Sequence, residues 1–175
     1  VVCVLLVASV VMGLMGMGRM GADLKAVVAD HFPRIVAATN LSTQIDVIAI
    51  ALRNMMLNAD AADRERQTQV IAQSRQEVVR LFDTLDKTLT EPKDRALLQK
   101  VKEQRALYLA GQEELLGFIR SDQTDQSREY LASKLRPVLA SYKASIGALV
   151  ESEKNAIVTA GTDARDTALN ARNTL

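Results

Sequence analysis

From about residue 40 onward, apolar residues return every three or four positions, which is the period of one helix face. Leu41, Ile45, Ile48, Leu52 and Met55 form a first stripe, and Ile71, Ser74, Val78, Leu81 and Leu85 a second. Leu98, Val101, Leu115 and Ile119 mark a third; Leu131, Leu135, Val138, Tyr142, Ile146 and Leu149 a fourth. Four such segments joined by short polar connections predict an all-α fold, an antiparallel up-down-up-down four-helix bundle. The expected helices run over about 19–58, 61–89, 92–120 and 126–175. Asn58 or Asp60 is the expected cap of the second helix, and Thr90 that of the third, with Pro92 in its first turn. Pro33 predicts a bend in the first helix. Pro137 predicts a kink in the fourth, because a proline ring cannot bond the Ser133 carbonyl. After residue 150 the fourth stripe thins to Ala156, Ala160, Ala164, Ala168 and Ala171. That ladder of small side chains fits a sliding surface or a tapering bundle end.

The third stripe is interrupted. At the same spacing it runs through Arg105, Tyr108 and Gln112, so a core-facing helix turns polar for two turns. Counting down from the distal loops at 1.5 Å per residue places Gln44, Ser74, Arg105, Tyr108, Arg136 and Tyr142 about 16–25 Å below the distal end. Arg75 and Arg136 flank that layer. A buried arginine without a partner is expensive, so Arg105 needs an anion or water. Two readings follow. In one, Asp46 or Glu77 pairs with Arg105 internally, or Glu103 draws it to the surface. In the other, Arg105 holds a small carboxylate ligand and the Tyr108 and Tyr142 hydroxyls complete its hydrogen bonds.

Residues 1–18, VVCVLLVASVVMGLMGMG, carry no charge, and at 1.5 Å per residue they would reach roughly 27 Å, the thickness of a bilayer core. A retained transmembrane helix over 1–18 is the expectation, rather than a signal peptide. The run exceeds an ordinary signal core, and RMGADLKAVVADHF continues it in helical period. Residues 19–175 then form the bundle outside the membrane.

Composition narrows the function. Three prolines, eight glycines and 25% charged residues in 175 suit long helices. A net charge of +1 argues against a nucleic-acid partner. Cys3 is the sole cysteine and His31 the sole histidine. Thiol-pair chemistry, histidine-based metal sites and nucleophile–base catalysis therefore have no residues to run on, and neither an enzyme nor a metal or cofactor is expected. His31, before Phe32 and Pro33, is expected to be solvated or interfacial.

IAIALRNMMLNADAADRERQ (48–67), with HFPRIVAATNLSTQID before it and LRPVLASY (135–142) later, resembles the sensory four-helix bundle of methyl-accepting chemotaxis proteins. The resemblance covers essentially the whole chain. It implies a periplasmic domain of a bacterial inner-membrane receptor that dimerises through helices 1 and 4 and binds small acids directly or through a periplasmic binding protein. In aspartate-binding members three arginines of helix 1 grip the ligand. Here only Arg53 has a counterpart; Ala49 and Gln44–Ile45 stand one and two turns earlier. Arg53 is thus a ligand residue or a structural or dimer contact. Members that sense citric-acid-cycle acids within one bundle are the nearer likeness. The resemblance then implies a malate- or citrate-like ligand at Arg105, Tyr108, Tyr142, Ser74, Arg75, Arg136, Gln112 and Arg53, with binding displacing helix 4 against helix 1. The alternatives are a ligand-free dimerisation bundle, the same module feeding a histidine kinase or cyclase, and an amino-acid or aromatic-acid sensor.

Overall fold

The computed structural model describes residues 30–173. The span expected over 1–18, and helix 1 as far as residue 29, lie outside the described residues. Helix α1 is Phe32–Leu57, α2 is Ala61–Thr88 and α3 is Pro92–Arg120. The fourth rod has three parts: α4 (Thr124–Tyr130), a π-helical segment Leu131–Leu135, and α5 (Arg136–Asn173). No strand occurs among the described residues.

The described residues divide into two compact units, 36–150 and 30–35 with 151–173. In the first, the four stripes meet. Leu41, Ile45, Ile48, Leu52 and Met55 of α1 are buried, as are Ile71, Ser74, Val78, Leu81 and Leu85 of α2. So are Leu98, Val101, Leu115 and Ile119 of α3, and Leu135, Tyr142, Ile146 and Leu149 of the fourth rod. Polar contacts trace which helices are neighbours. Asn54 Nδ2 donates to Gln67 Oε1 between α1 and α2 (3.5 Å), and Lys102 Nζ to Asp86 between α2 and α3 (2.6 Å). The Tyr108 and Tyr142 rings meet between α3 and α5, and Lys143 Nζ donates to both Asp46 oxygens between α5 and α1. That ring of neighbours is the up-down-up-down order.

Helix ends follow local chemistry, with two departures from expectation. Asp60 caps α2, its side chain accepting from the Asp63 N–H at 2.8 Å. The cap of α3 is Glu91 rather than Thr90, without a side-chain bond; Pro92 follows at the first helical position, where a missing N–H costs nothing. At Pro137 the fourth rod answers the missing donor with a wide turn instead of a simple kink. The Arg136 N–H bonds the Leu131 carbonyl, five residues back, so the irregularity is absorbed upstream of the proline. A similar wide turn at Asp30–His31 precedes Pro33, where a bend was expected. At the distal end Arg64 holds both loops together: its Nε donates to the Met55 and Asn58 carbonyls, its Nη1 to Asp122 Oδ1 at 2.8 Å. Asp122 sits in the left-handed region, φ 52°, at that turn.

Helix α1 is rich in apolar residues beyond its buried stripe, although Thr39, Asn40, Thr43 and Arg53 are exposed on it. By length and composition it suffices to cross a membrane, its most apolar 18-residue window having a mean hydropathy of 1.6. Eight of its residues nevertheless lie in the protein core. The outer face keeps Val36, Ile50 and Leu57 exposed, Leu57 to 75%.

The second unit holds a polar cluster that the alanine ladder did not foretell. Glu153 of α5 is 1% exposed and its Oε2 lies 2.7 Å from His31 Nδ1; Arg34 Nη1 lies 3.7 Å from the same oxygen. Of the two expectations for His31, solvated or interfacial, the structure shows the second, with the ring part-buried against the Glu153 carboxylate.

Candidate functional site

The predicted site residues separate into two groups with Tyr108 between them. The first surrounds a cavity of about 10 Å³ lined by Ile45, Arg75, Arg105, Tyr108, Gln112 and Tyr142, among others. That is room for roughly one water molecule. Burial is nearly complete for Tyr108, Gln112 and Tyr142. The two tyrosine rings stand 5.9 Å apart and tilted by 51°, an attractive edge-on arrangement. Neither hydroxyl has a hydrogen-bond partner. A buried polar group in that state costs about 1–3 kcal/mol. Burial pushes the Tyr108 phenol well above its usual range; the nearby Asp46 carboxylate adds to this and Arg75 opposes it. Burial likewise raises Tyr142, against the pull of Arg105. Both phenols keep their protons and remain donors.

Arg75 is committed within this layer. It donates to Gln112 Oε1 at 2.7 Å (Nη2) and 3.3 Å (Nε), and to Glu113 at 2.8 Å. Arg105 is not. Its guanidinium carbon lies 5.1 Å from the centre of the Phe82 ring, a cation–π contact worth about 0.5–2 kcal/mol. The carboxylates considered as its partners are engaged elsewhere: Asp46 with Lys143, Glu77 with Arg80. Phe82 was missed because an aromatic face attracts a cation through its quadrupole without showing as charge in the sequence. Ser74 is buried on α2 and lines neither cavity described here.

The second group surrounds a cleft of about 250 Å³ between α1 and the fourth rod, with Tyr108 of α3 also lining it. Its walls are Ala49 and Leu52 of α1, Leu131 and Leu135 of the π segment, and Leu139 of α5. Arg53 and Arg136 complete the lining, both exposed and, among the described residues, without an ion pair. Two features shape the cleft. The π segment changes the phase between α4 and α5 and supplies two wall residues. Gly111 on α3 lets Leu135 approach closely: a Cβ there would lie 2.7 Å from Leu135 Cδ1. The five wall residues escaped sequence reading because they look like ordinary core. The available signals were Pro137 and a lone glycine in a helix interior.

A mostly aliphatic hollow with a few convergent polar groups is the usual make-up of a small-molecule site. Here the polar side chains of the lining are the exposed Arg53 and Arg136, while the Tyr108 hydroxyl is buried.

Compared with known proteins, the chain matches a family model described as a four helix bundle sensory module for signal transduction, over residues 1–168. The comparison with curated proteins gives no match.

Proposed function

Since the chain belongs to the four-helix-bundle sensory modules for signal transduction, a sensory family and not an enzyme family, we propose that it senses a small organic acid in the cleft of Arg53, Arg136 and Tyr108. The observation that carries this reading is the cleft itself: about 250 Å³, aliphatic walls, and two arginines with no ion pair among the described residues. The Arg105 layer, with room for about one water, is too small for a malate- or citrate-sized molecule. The organic acid therefore moves from Arg105 to Arg53 and Arg136, with Tyr108 shared. A compact carboxylate places its charge between the guanidiniums and its carbon skeleton against Leu52, Leu135 and Leu139.

Position explains how binding becomes a signal. One wall is α1 and the other is the π segment with α5. A ligand that fits one spacing of these helices better than another shifts their packing, and the shift is limited by that difference in affinity. As a chemoreceptor module it would lie in the periplasm beside an inner-membrane span, with the displacement of the fourth rod passing toward the membrane. The exposed Val36, Ile50 and Leu57 on α1 support a homodimer through helices 1 and 4, because a second copy would cover apolar side chains that one bundle leaves in water.

The test is a thermal-shift screen of the chain against malate, succinate, citrate, benzoate and amino acids, followed by calorimetric titration of each hit. A ligand that binds only the folded form raises the melting point by mass action. Arg53→Ala and Arg136→Ala are expected each to weaken binding by roughly tenfold to a hundredfold, the worth of one charge-assisted contact. Both residues are exposed, so folding is expected to survive. Unchanged affinity in both variants would sink the reading. A ligand-free dimerisation stalk is the outcome if nothing in the panel binds.

A further inference from the structure

The larger cleft offers a ligand few polar partners, and that shortage narrows the class of acid it can hold. Its walls are the side chains of Ala49, Leu52, Leu131, Leu135 and Leu139, all aliphatic. Tyr108 adds ring surface, its hydroxyl oxygen being buried. Arg53 and Arg136 are exposed, and no carboxylate, amide or aliphatic hydroxyl joins them in the lining among the described residues. A carboxylate is therefore matched by guanidiniums. An ammonium finds no acceptor side chain. A hydroxyl on the body of the ligand would lie against leucine, where losing its water without a new partner weakens binding. At the packing density of a protein interior, about 250 Å³ takes roughly ten non-hydrogen atoms. That is near the size of malate, so polarity and not size has to separate one acid from another.

We propose that the acid taken by this cleft is a monocarboxylate with an unsubstituted apolar body, a ring or branched-chain acid whose carboxylate meets Arg53 and Arg136 and whose hydrocarbon lies on Leu52, Leu135 and Leu139. The proposal rests on the organic-acid reading of the cleft and sets its specificity. A dicarboxylate could give one carboxylate to each arginine, but its short polar body would leave the leucine walls unused. Each methylene withdrawn from water against those walls adds roughly fourfold to affinity. A body of about five apolar carbons then adds on the order of a thousandfold, above the roughly tenfold to hundredfold of a second charge-assisted contact. Hydroxy acids, tricarboxylates and amino acids are disfavoured for the same reason: each brings a polar group that the walls cannot answer.

The experiment is calorimetric titration of the chain with butanoate, pentanoate, hexanoate, cyclohexanecarboxylate and benzoate, set against succinate, malate, citrate and leucine. Affinity is expected to climb about fourfold per methylene from butanoate to hexanoate. The polar acids should bind at least about tenfold more weakly than hexanoate. Leu139 is half-buried and borders the cleft. Leu139→Phe narrows the space and should flatten the climb with chain length, and Leu139→Ala widens it and should move the best length to a longer acid. Arg53→Ala should weaken the whole series. Malate binding as tightly as hexanoate, with both weakened in Arg53→Ala, would overturn the proposal and leave the organic-acid reading standing. A climb with chain length that neither Leu139 variant alters would overturn it too, since the hydrocarbon would then lie elsewhere. No binding by any acid, or binding indifferent to Arg53→Ala and Arg136→Ala, would remove both the proposal and the reading beneath it.

Discussion

At the scale of single residues, the polar layer works by where protons sit. Tyr108 and Tyr142 are both raised by burial, so the folded chain holds their protons to higher pH than the unfolded chain does. The sign follows from linkage: below about pH 10 both states are protonated and the phenols contribute no slope. Above it the unfolded state loses protons that the native state keeps, so stability falls as pH rises. Each phenol should add up to ~1.4 kcal/mol per pH unit to that fall. Tyr130 shifts in the same direction, so the measurement is a comparison. Urea unfolding of wild type and Tyr142→Phe between pH 9 and pH 11.5 should give a shallower alkaline decline in the variant. Equal slopes would mean that Tyr142 is not desolvated in solution. Arg105 shows the limit of sequence reading at this scale. It was expected to be buried on an inward stripe, whereas it is only half-buried and so partly hydrated. That its partner is the Phe82 face was not legible, because a cation–π contact depends on where a ring lies and not on a complementary charge.

Among the elements, the fourth rod departs most from its pattern, and the departure builds the cleft. The stripes themselves were legible: residues at 3-4 spacing in all four segments are buried or half-buried, because helical phase alone decides which face meets the core. The π segment was not. Pro137 announced an irregularity, but whether a helix kinks or widens depends on what faces it across the bundle. What faces it is Gly111, whose missing Cβ receives Leu135. Arg136 was for the same reason placed beside the inner layer, when the structure brings it to the cleft with Arg53. Gly111→Ala tests this coupling. The new Cβ would meet the mobile end of a leucine that borders a 250 Å³ hollow, so Leu135 can turn into the cleft. The helix gains up to ~1 kcal/mol of propensity, offsetting part of the crowding. Stability is therefore expected to change by less than about 1.5 kcal/mol, while the affinity of any acid found in the screen falls as its space is filled. A large loss of stability with unchanged affinity would show that Leu135 cannot move and that the cleft does not depend on it.

For the whole molecule, the matter to decide is how one chain's site relates to a second copy. The walls of the cleft come from α1 and the fourth rod. The exposed apolar residues of α1, Ile50 at 53% and Leu57 at 75%, lie on the helix that also carries Arg53. If these residues cover one another in a dimer, association and ligand binding share a helix but not a set of atoms. Ile50→Lys with Leu57→Lys separates the two. Neither side chain is in the core, so helix content and the cooperativity of melting should survive, each change costing at most about 0.5 kcal/mol in the monomer. Two lysines per chain at a mutual apolar contact would leave buried like charges, which no dimer of this kind tolerates. Sedimentation velocity is therefore expected to give a dimer for the unaltered chain and a monomer for the double variant. Acid affinity in that monomer should stay within about threefold of the unaltered chain, allowing for two added positive charges near an anion site. Loss of binding together with the dimer would instead mean that a second copy contributes to the site, and that Arg53 acts across the interface rather than within its own bundle.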